Sequence, residues 1–453
     1  MRSTRLSLPI LLLVCLGWVL AGSASAEQQE EPFFPRAGSR EYDVLHYHVA
    51  LSFLPKQGGR IQATAKLTGI ANRSTNDFTL DYFGPKVAQA RVDGEIAARE
   101  RTDLKLHLIA GHEIHTGETF TITVHYAGVP PKVTDPDGSQ EGWYRTDDGA
   151  LAVGEPQGTA AWIPCNNVPA DKARFDFAIT VPAGLKAVAN GRLRGVERRG
   201  GRTTYRWTEP APMSTYLAVL DVGRGRIVRA EAVGRPTWTL VDPRLAQGSR
   251  HVLAHLPGVA HFEARLFGGY PFDSGGSIVD YAPALGYALE SQSRPIYAFV
   301  PDLTTLVHET AHQWFGDAVG VETWPQIWLN EGFATWTEWY YAERHGGRSA
   351  HAIFRRLLRV PAGNERFWDP PSGRPASAKQ LFDPSIYIRG AMALQALREK
   401  IGTKPMLRLL RRWVAEHRYG SGTTEEFTLL AERVSLQDLE RFFQRWLYRR
   451  GKP

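Results

Sequence analysis

Two histidines four residues apart, His308 and His312, bracket Glu309 in the string Leu306-Val307-His308-Glu309-Thr310-Ala311-His312. On a helix, residues at this spacing stack on one face about a turn apart, so both imidazoles reach the same ion. A carboxylate between two such histidines is the usual general base of zinc hydrolases. Catalytic zinc takes three protein atoms and keeps one position for water, so a third ligand is required. Glu331 fills that place, nineteen residues past His312 in Trp328-Leu329-Asn330-Glu331-Gly332-Phe333-Ala334-Thr335, at the start of a second helix expected to end near Gly346-Gly347. Zinc lowers the pKa of water toward neutrality. Glu309 then takes a proton during attack on a carbonyl and returns it to the leaving amine, while the developing oxyanion needs a donor opposite the metal. The bland alternative is an amphipathic helix whose histidines merely pack, and the further glutamate argues against it. Glu338, seven residues past Glu331 on the same face, fits a partner that orients a ligating histidine, or equally an ordinary exposed glutamate.

The elements that must hold these residues fall into two textures. From Tyr42 to about Gly223 short alternating runs recur: His46–Phe53, Asp77–Phe83, Leu104–Ile109, Thr119–Tyr126, Phe175–Val181, Tyr205–Trp207 and Tyr216–Val222. Gly58-Gly59, Asp93-Gly94 and Pro130-Pro131 punctuate them, as turns punctuate an antiparallel sheet. After Pro243 the pattern lengthens into helices, predicted over Arg250–Phe267, Ala350–Val360, Tyr387–Lys400, Pro405–His417, Thr424–Arg433 and Leu436–Arg449, with a strand at Ser277–Tyr281. The expected architecture is multidomain α+β. A leader at 1–26 precedes a mostly antiparallel β domain at 27–224 and a largely helical catalytic domain at 225–453.

Composition sets outer bounds. At 453 residues, 43% hydrophobic and 22% charged, the chain has the makings of a globular protein with a substantial core. Arg2 and Arg5 precede an apolar run from Leu6 to Ala21 that ends in Ala24-Ser25-Ala26, the pattern of a secretory leader cleaved after Ala26. The run is close to the short limit for a membrane anchor, and no later segment approaches eighteen apolar residues. Cys165 is then the one cysteine left, so no intrachain disulfide is expected. Two of the formal +7 charges lie in the leader, and the rest are spread too widely to suggest a nucleic-acid surface.

Beyond the metal motif, the residues resemble the zinc aminopeptidases related to aminopeptidase N, a group of gluzincin metallopeptidases. The likeness extends to Glu155-Pro156, Pro164-Cys165, Asp171-Lys172-Ala173 through Val181-Pro182, Ala189-Asn190-Gly191, Tyr270-Pro271-Phe272 and Trp324 through Ala334. It implies a thermolysin-like catalytic domain, one zinc ion per chain and peptide substrates with a free N-terminus. The family's amine-clasping glutamate lies in a G-x-M-E-N string. Its match is Gly286-Tyr287-Ala288-Leu289-Glu290-Ser291, with the glycine one residue early, Leu289 for Met and Ser291 for Asn. Glu290 is thereby assigned to the substrate amine. The family's oxyanion tyrosine lies in Y-x-K-G, matched by Tyr387-Ile388-Arg389-Gly390 with Arg for Lys. The chain stops seven residues after Trp446, where larger members continue into further domains, which suggests a more open cleft. Two rival functions share these residues: an endopeptidase of the thermolysin kind, and a non-catalytic extracellular binding protein on a peptidase scaffold.

Overall fold

Strand Tyr42–Leu54 buries every second side chain for most of its length, and strand Arg60–Ala71 alternates in the same way. That period of two is what puts one face of a sheet against a core. The computed structural model describes residues 31–453, so the expected leader lies outside the described residues. Among the described residues no helix is long and apolar enough to cross a membrane.

The largest sheet has eight strands, in the order Arg192–Arg199, Arg202–Ser214, Lys172–Pro182, Tyr42–Leu54, Arg60–Ala71, Thr119–Gly128, Lys86–Val92 and Glu95–Ile96. Its pairings are antiparallel except one, Tyr42–Leu54 beside Lys172–Pro182. A three-stranded sheet carries Thr75–Asp81, Lys105–Ile114 and Ala98–Arg101. A five-stranded sheet runs Lys186–Ala189, Leu220–Gly223, Ala150–Val153, Gln140–Arg145 and Lys132–Thr134. The 216–222 stretch is only half strand. Thr215–Leu217 forms a buried turn, because the Thr215 hydroxyl donates to Asn167 and its carbonyl accepts from Thr159, and the strand begins at Leu220.

A second five-stranded sheet, Arg226–Ala232, Arg235–Val241, Ile278–Val279, Ile296–Tyr297 and Ala288–Leu289, introduces the helical part of the chain. The single helix expected at Arg250–Phe267 is two, Ala246–Leu253 and Leu256–Phe267. Pro257 enters the first turn of the second, where its missing N–H costs nothing, whereas in a continuous helix its ring would strike the carbonyl four residues back. The last expected helix, Leu436–Arg449, is also interrupted. Leu436 takes a left-handed conformation at φ 58° that ends the helix Thr424–Ser435, and Glu440–Phe443 then runs into a wider turn over Gln444–Tyr448.

Three helices matter most to the site: Leu303–Ala311, Trp328–Arg344 and Pro384–Ile401. The first is capped by Asp302 accepting from the Thr305 amide, the third by Asp383 accepting from the Ser385 amide. Twelve of the seventeen residues of Trp328–Arg344 are buried, as expected of a helix covered on nearly every side rather than along one stripe.

Candidate metal and peptide site

His308 and Glu309 lie in the last turn of Leu303–Ala311, with His312 as its C-terminal cap, and their two imidazole rings sit 4.8 Å apart. Glu331, in the first turn of Trp328–Arg344, brings Oε2 to 3.2 Å from His308 Nε2 and 3.5 Å from His312 Nε2. Two ligands at about 2.05 Å on a tetrahedral zinc stand about 3.3 Å apart, so these separations match a shared ion. The other ring nitrogens are taken. His308 Nδ1 lies 2.6 Å from Glu338 Oε1, and His312 Nδ1 lies 2.9 Å from the Phe315 carbonyl. Both Nδ1 atoms therefore act as donors, which turns both Nε2 lone pairs toward Glu331. Glu338, left open between two readings in the sequence, is thus placed against His308.

Around this triad carboxylates accumulate. Glu309, Glu290 and His312 form a second close group, and Glu155, Glu290 and Glu331 a third, each with donor atoms within 4.8 Å of one another. Burial pushes the Glu309 carboxyl up to about 7, against the pull of His308 and His312. Burial raises Glu290 and Glu155 as well, and for Glu155 the charge of Glu290 adds to it. Each of these two keeps an oxygen, Oε1, with no hydrogen-bond partner although the residue is at most 8% exposed. An orphaned buried carboxylate is costly, and a cationic guest would satisfy both oxygens.

Tyr387, in the first turn of Pro384–Ile401, stacks on His308 at 6.2 Å with the rings 24° apart. Burial, reinforced by Glu331, holds its phenol protonated well beyond the ordinary range, so it remains a donor. Glu290 follows the edge strand Ala288–Leu289, and its backbone carbonyl is fixed by Gln313 Nε2 at 3.2 Å. All six residues singled out from the sequence, His308, Glu309, His312, Glu331, Glu290 and Tyr387, border one cavity of about 260 Å³.

Sequence reasoning passed over four residues that share that cavity: Asp137, Ser139, Glu155 and Phe382. Glu155 stood inside a recognised Glu-Pro pair without a role, and only the fold brings it from the β domain to Glu290. Tyr287, where the resemblance expects a glycine, lines the cavity too, and its hydroxyl donates to the Gln140 carbonyl at 2.8 Å. Arg389, standing for the family's lysine, is fully buried. It donates to the carbonyls of Trp446, Trp368, Gly451, Arg445 and Arg449, tying the C-terminal segment to the Tyr387 helix.

Known proteins resemble the chain over most of its length. Residues 44–217 match the model of the peptidase M1 N-terminal domain, and residues 302–446 that of the peptidase family M1 domain. The chain is 24% identical to Aminopeptidase 2 of Candida albicans, over 95% of its own length and 49% of that protein's. It is also 24% identical to a leucyl aminopeptidase of Saccharolobus solfataricus, covering 90% of this chain and 54% of that one. It therefore spans about half the length of the curated relatives it matches. An M1 zinc metallopeptidase of Deinococcus radiodurans, solved with a Tyr-Ser-Ala substrate, superposes with a TM-score of 0.84 at 28% identity, over 93% of this chain and 98% of that one.

Proposed function

Because the chain belongs to peptidase family M1, with both the N-terminal and the catalytic domain of that family, we propose that it is a zinc aminopeptidase that removes N-terminal residues from peptides. His308, His312 and Glu331 hold the metal, one ion per chain. When bound, zinc supplies a Lewis acid and lowers the pKa of water near neutrality. The remaining steps belong to side chains. Glu309 takes the proton of the attacking water and passes it to the departing amine. Tyr387 donates its phenolic proton in a hydrogen bond to the oxygen on which negative charge develops. Glu290 and Glu155 accept the N–H groups of the substrate's terminal ammonium.

The observation that carries this reading is the pair of orphaned carboxylate oxygens beside the metal ligands. An endopeptidase, whose substrate presents a neutral amide with at most one N–H there, would leave these buried oxygens short of donors, and the same mismatch rejects N-acetylated peptides. Aminoacyl anilides with and without N-acetylation, run before and after chelation, test it. Cleavage of the free-amine forms alone, lost with the metal and restored by zinc, is expected; equal cleavage of the acetylated forms would replace it with the endopeptidase reading.

We place the activity outside the cytoplasm. The leader-like pattern at residues 1–26 supports that reading. The mass of the mature N-terminus after export from a bacterial host tests it: a chain still carrying residues 1–26 would overturn cleavage after Ala26.

A further inference from the structure

The positive excess of the chain is local, where a wide spread was expected. Between Lys186 and Arg235 the sequence holds eleven lysines and arginines against four acids (Glu197, Glu209, Asp221 and Glu231), an excess equal to the +7 of all 453 residues, so the remainder balances. Two of those acids, Glu209 and Asp221, are fully buried.

The cations gather on two hairpins. One joins Arg192–Arg199 to Arg202–Ser214, the other Arg226–Ala232 to Arg235–Val241. Each turns on two residues with positive φ, Gly200-Gly201 and Val233-Gly234, the tight connection that a twisted antiparallel pair prefers. Arg192–Arg199 and Arg226–Ala232 are edge strands of their sheets. The hairpins adjoin, with Arg192–Arg199 touching Arg235–Val241 and Trp207 packed edge-on against Trp238 at 6.0 Å. Arg192, Arg194, Arg198, Arg199 and Arg206 are exposed on the first hairpin, and Arg226, Arg229 and Arg235 on the second. Glu197, 3.6 Å from Arg206, is the one carboxylate paired with any of them among the described residues. Arg199 stands directly opposite Arg202 in the ladder, and like charges so placed push the strands apart. Charge on an edge strand does discourage pairing with another chain, but either sign or a mixture would serve. Arginines facing one another lower stability, and an anionic partner offsets that.

Apolar side chains stand among the cations. Val196 is 37% exposed and two residues from Arg198, and Val228 is 42% exposed and two residues from Arg226, so each pair shares a strand face. The aromatic residues of these strands, Tyr205, Trp207 and Trp238, are buried, which removes the stacking platform that single-stranded nucleic acid uses. Guanidinium groups with valines between them suit a lipid headgroup layer: the cations meet phosphate while the apolar side chains reach toward the acyl boundary. We propose that these two hairpins dock the protein on a bilayer rich in anionic phospholipid. The docking is independent of the aminopeptidase reading, and none of these arginines borders the metal cavity.

The test is co-sedimentation of the zinc-loaded chain from Glu27 onward with vesicles of phosphatidylcholine, alone or with about one-third phosphatidylglycerol. That chain lacks the apolar run Leu6–Ala21 and keeps every described residue. Binding to the anionic vesicles alone, lost as salt rises from about 0.1 M to about 0.5 M, is expected. Each arginine near an anionic surface strengthens binding about fivefold, so combining Arg198→Ser, Arg199→Ser, Arg226→Ser and Arg229→Ser should weaken it on the order of a hundredfold. Combining Arg344→Ser, Arg348→Ser, Arg355→Ser and Arg356→Ser, all exposed on the helical part, should weaken it less than about threefold. Arg199→Glu separates binding from folding. It sets an opposite charge against Arg202, so the melting temperature should rise or hold while vesicle binding falls about tenfold. Salt-independent binding to phosphatidylcholine alone, equal losses in the two fourfold variants, or undiminished binding by Arg199→Glu would overturn the proposal. Tight binding of a DNA duplex without binding to vesicles would overturn it too, and would assign the arginines to nucleic acid.

Discussion

His308 is held from two sides, by Glu331 at one ring nitrogen and by Glu338 at the other, and the second contact makes its own prediction. Removing a carboxylate that orients a ligating histidine costs roughly 10- to 100-fold in metal affinity. Glu338→Ala should weaken zinc binding by about that much, measured by competition with a chromophoric chelator, and Glu338→Gln should recover part of the loss by keeping an acceptor. Glu309 predicts the opposite pattern. Glu309→Gln keeps the volume and all three ligands, so zinc should bind at full stoichiometry while kcat falls on the order of a thousandfold. Zinc lost together with activity would move Glu309 out of the proton-transfer role. Glu290→Ala and Glu155→Ala should each raise KM for free-amine substrates, with steady-state kinetics as the readout. What separates these residues is how they could be found. His308, Glu309 and His312 follow from helical spacing, and Glu331 from the need for a third ligand in the stretch just beyond them. Glu155 lies in another domain, and no periodicity connects it to Glu290, so the sequence holds its type but not its address. Asp137 sits in an Asp-Pro-Asp-Gly-Ser string that reads as nothing more than a turn.

Glu331 and Tyr387 are positioned by two helices that meet where neither has a side chain. A methyl group on Gly332 would stand 2.9 Å from Gly390 Cα and 3.0 Å from its carbonyl carbon, and one on Gly390 would stand 2.9 Å from Gly332 Cα. Such distances to backbone leave nothing flexible to yield. Gly332 follows the third ligand directly, and Gly390 comes three residues after the phenol. Replacing glycine by alanine inside a helix ordinarily stabilises it by up to about 1 kcal/mol, whereas overpacking costs about 1–3 kcal/mol. The clash should win here. Gly332→Ala is expected to lower stability in a denaturant titration and to cut kcat several-fold more than it changes KM, because Tyr387 moves away from the metal ligands. A stabilised variant with unchanged kcat would show that the two helices can part without consequence. At this scale the sequence was informative about which segments are helices, and less so about where they stop. The break before Pro257 follows from the proline itself. Leu436 as a left-handed cap does not, since leucine rarely takes that conformation and nothing in its surroundings along the chain marks it. The approach of Gly332 to Gly390 is equally invisible beforehand, being a relation between segments some sixty residues apart.

Apolar contacts such as Tyr216 on Trp324 and Trp207 on Trp238 join the β-rich and helical parts of the molecule, and buried polar groups join them as well. Arg294, fully buried, donates to the carbonyls of Ala189 and Gly191 on one side and of Trp238 and Gly275 on the other. Asn190 donates to the carbonyls of Leu217 and Gln292 and accepts from the Val219 amide, and Lys172 donates to the Asp317 carbonyl at 2.7 Å. The change of texture near Pro243 let the sequence suggest two architectures, but this junction lies in stretches without periodicity and gave no sign of itself. Glu209 belongs to the junction and makes its stability depend on pH. Its Oε1 accepts from the Ala211 amide at 3.1 Å, its Oε2 is buried without a partner, and burial pushes its pKa from 4.5 up to about 7. A carboxyl raised in the folded state binds its proton more tightly there than in the unfolded chain. Its contribution is therefore complete below pH 4.5 and is lost as pH climbs through about 7. At 1.36 kcal/mol per pKa unit, that loss is on the order of 3 kcal/mol. Asp135, pushed to about 7, and Asp171, to about 8, mainly by burial, act in the same direction. Urea titrations across this range should thus show stability falling from pH 5 to pH 8. Glu209→Gln, which keeps the shape and cannot ionise, should flatten the slope by the share that belongs to Glu209 and leave the protein more stable than the wild type at pH 8. A variant whose slope equals the wild type's would mean that Glu209 reaches solvent in the folded chain.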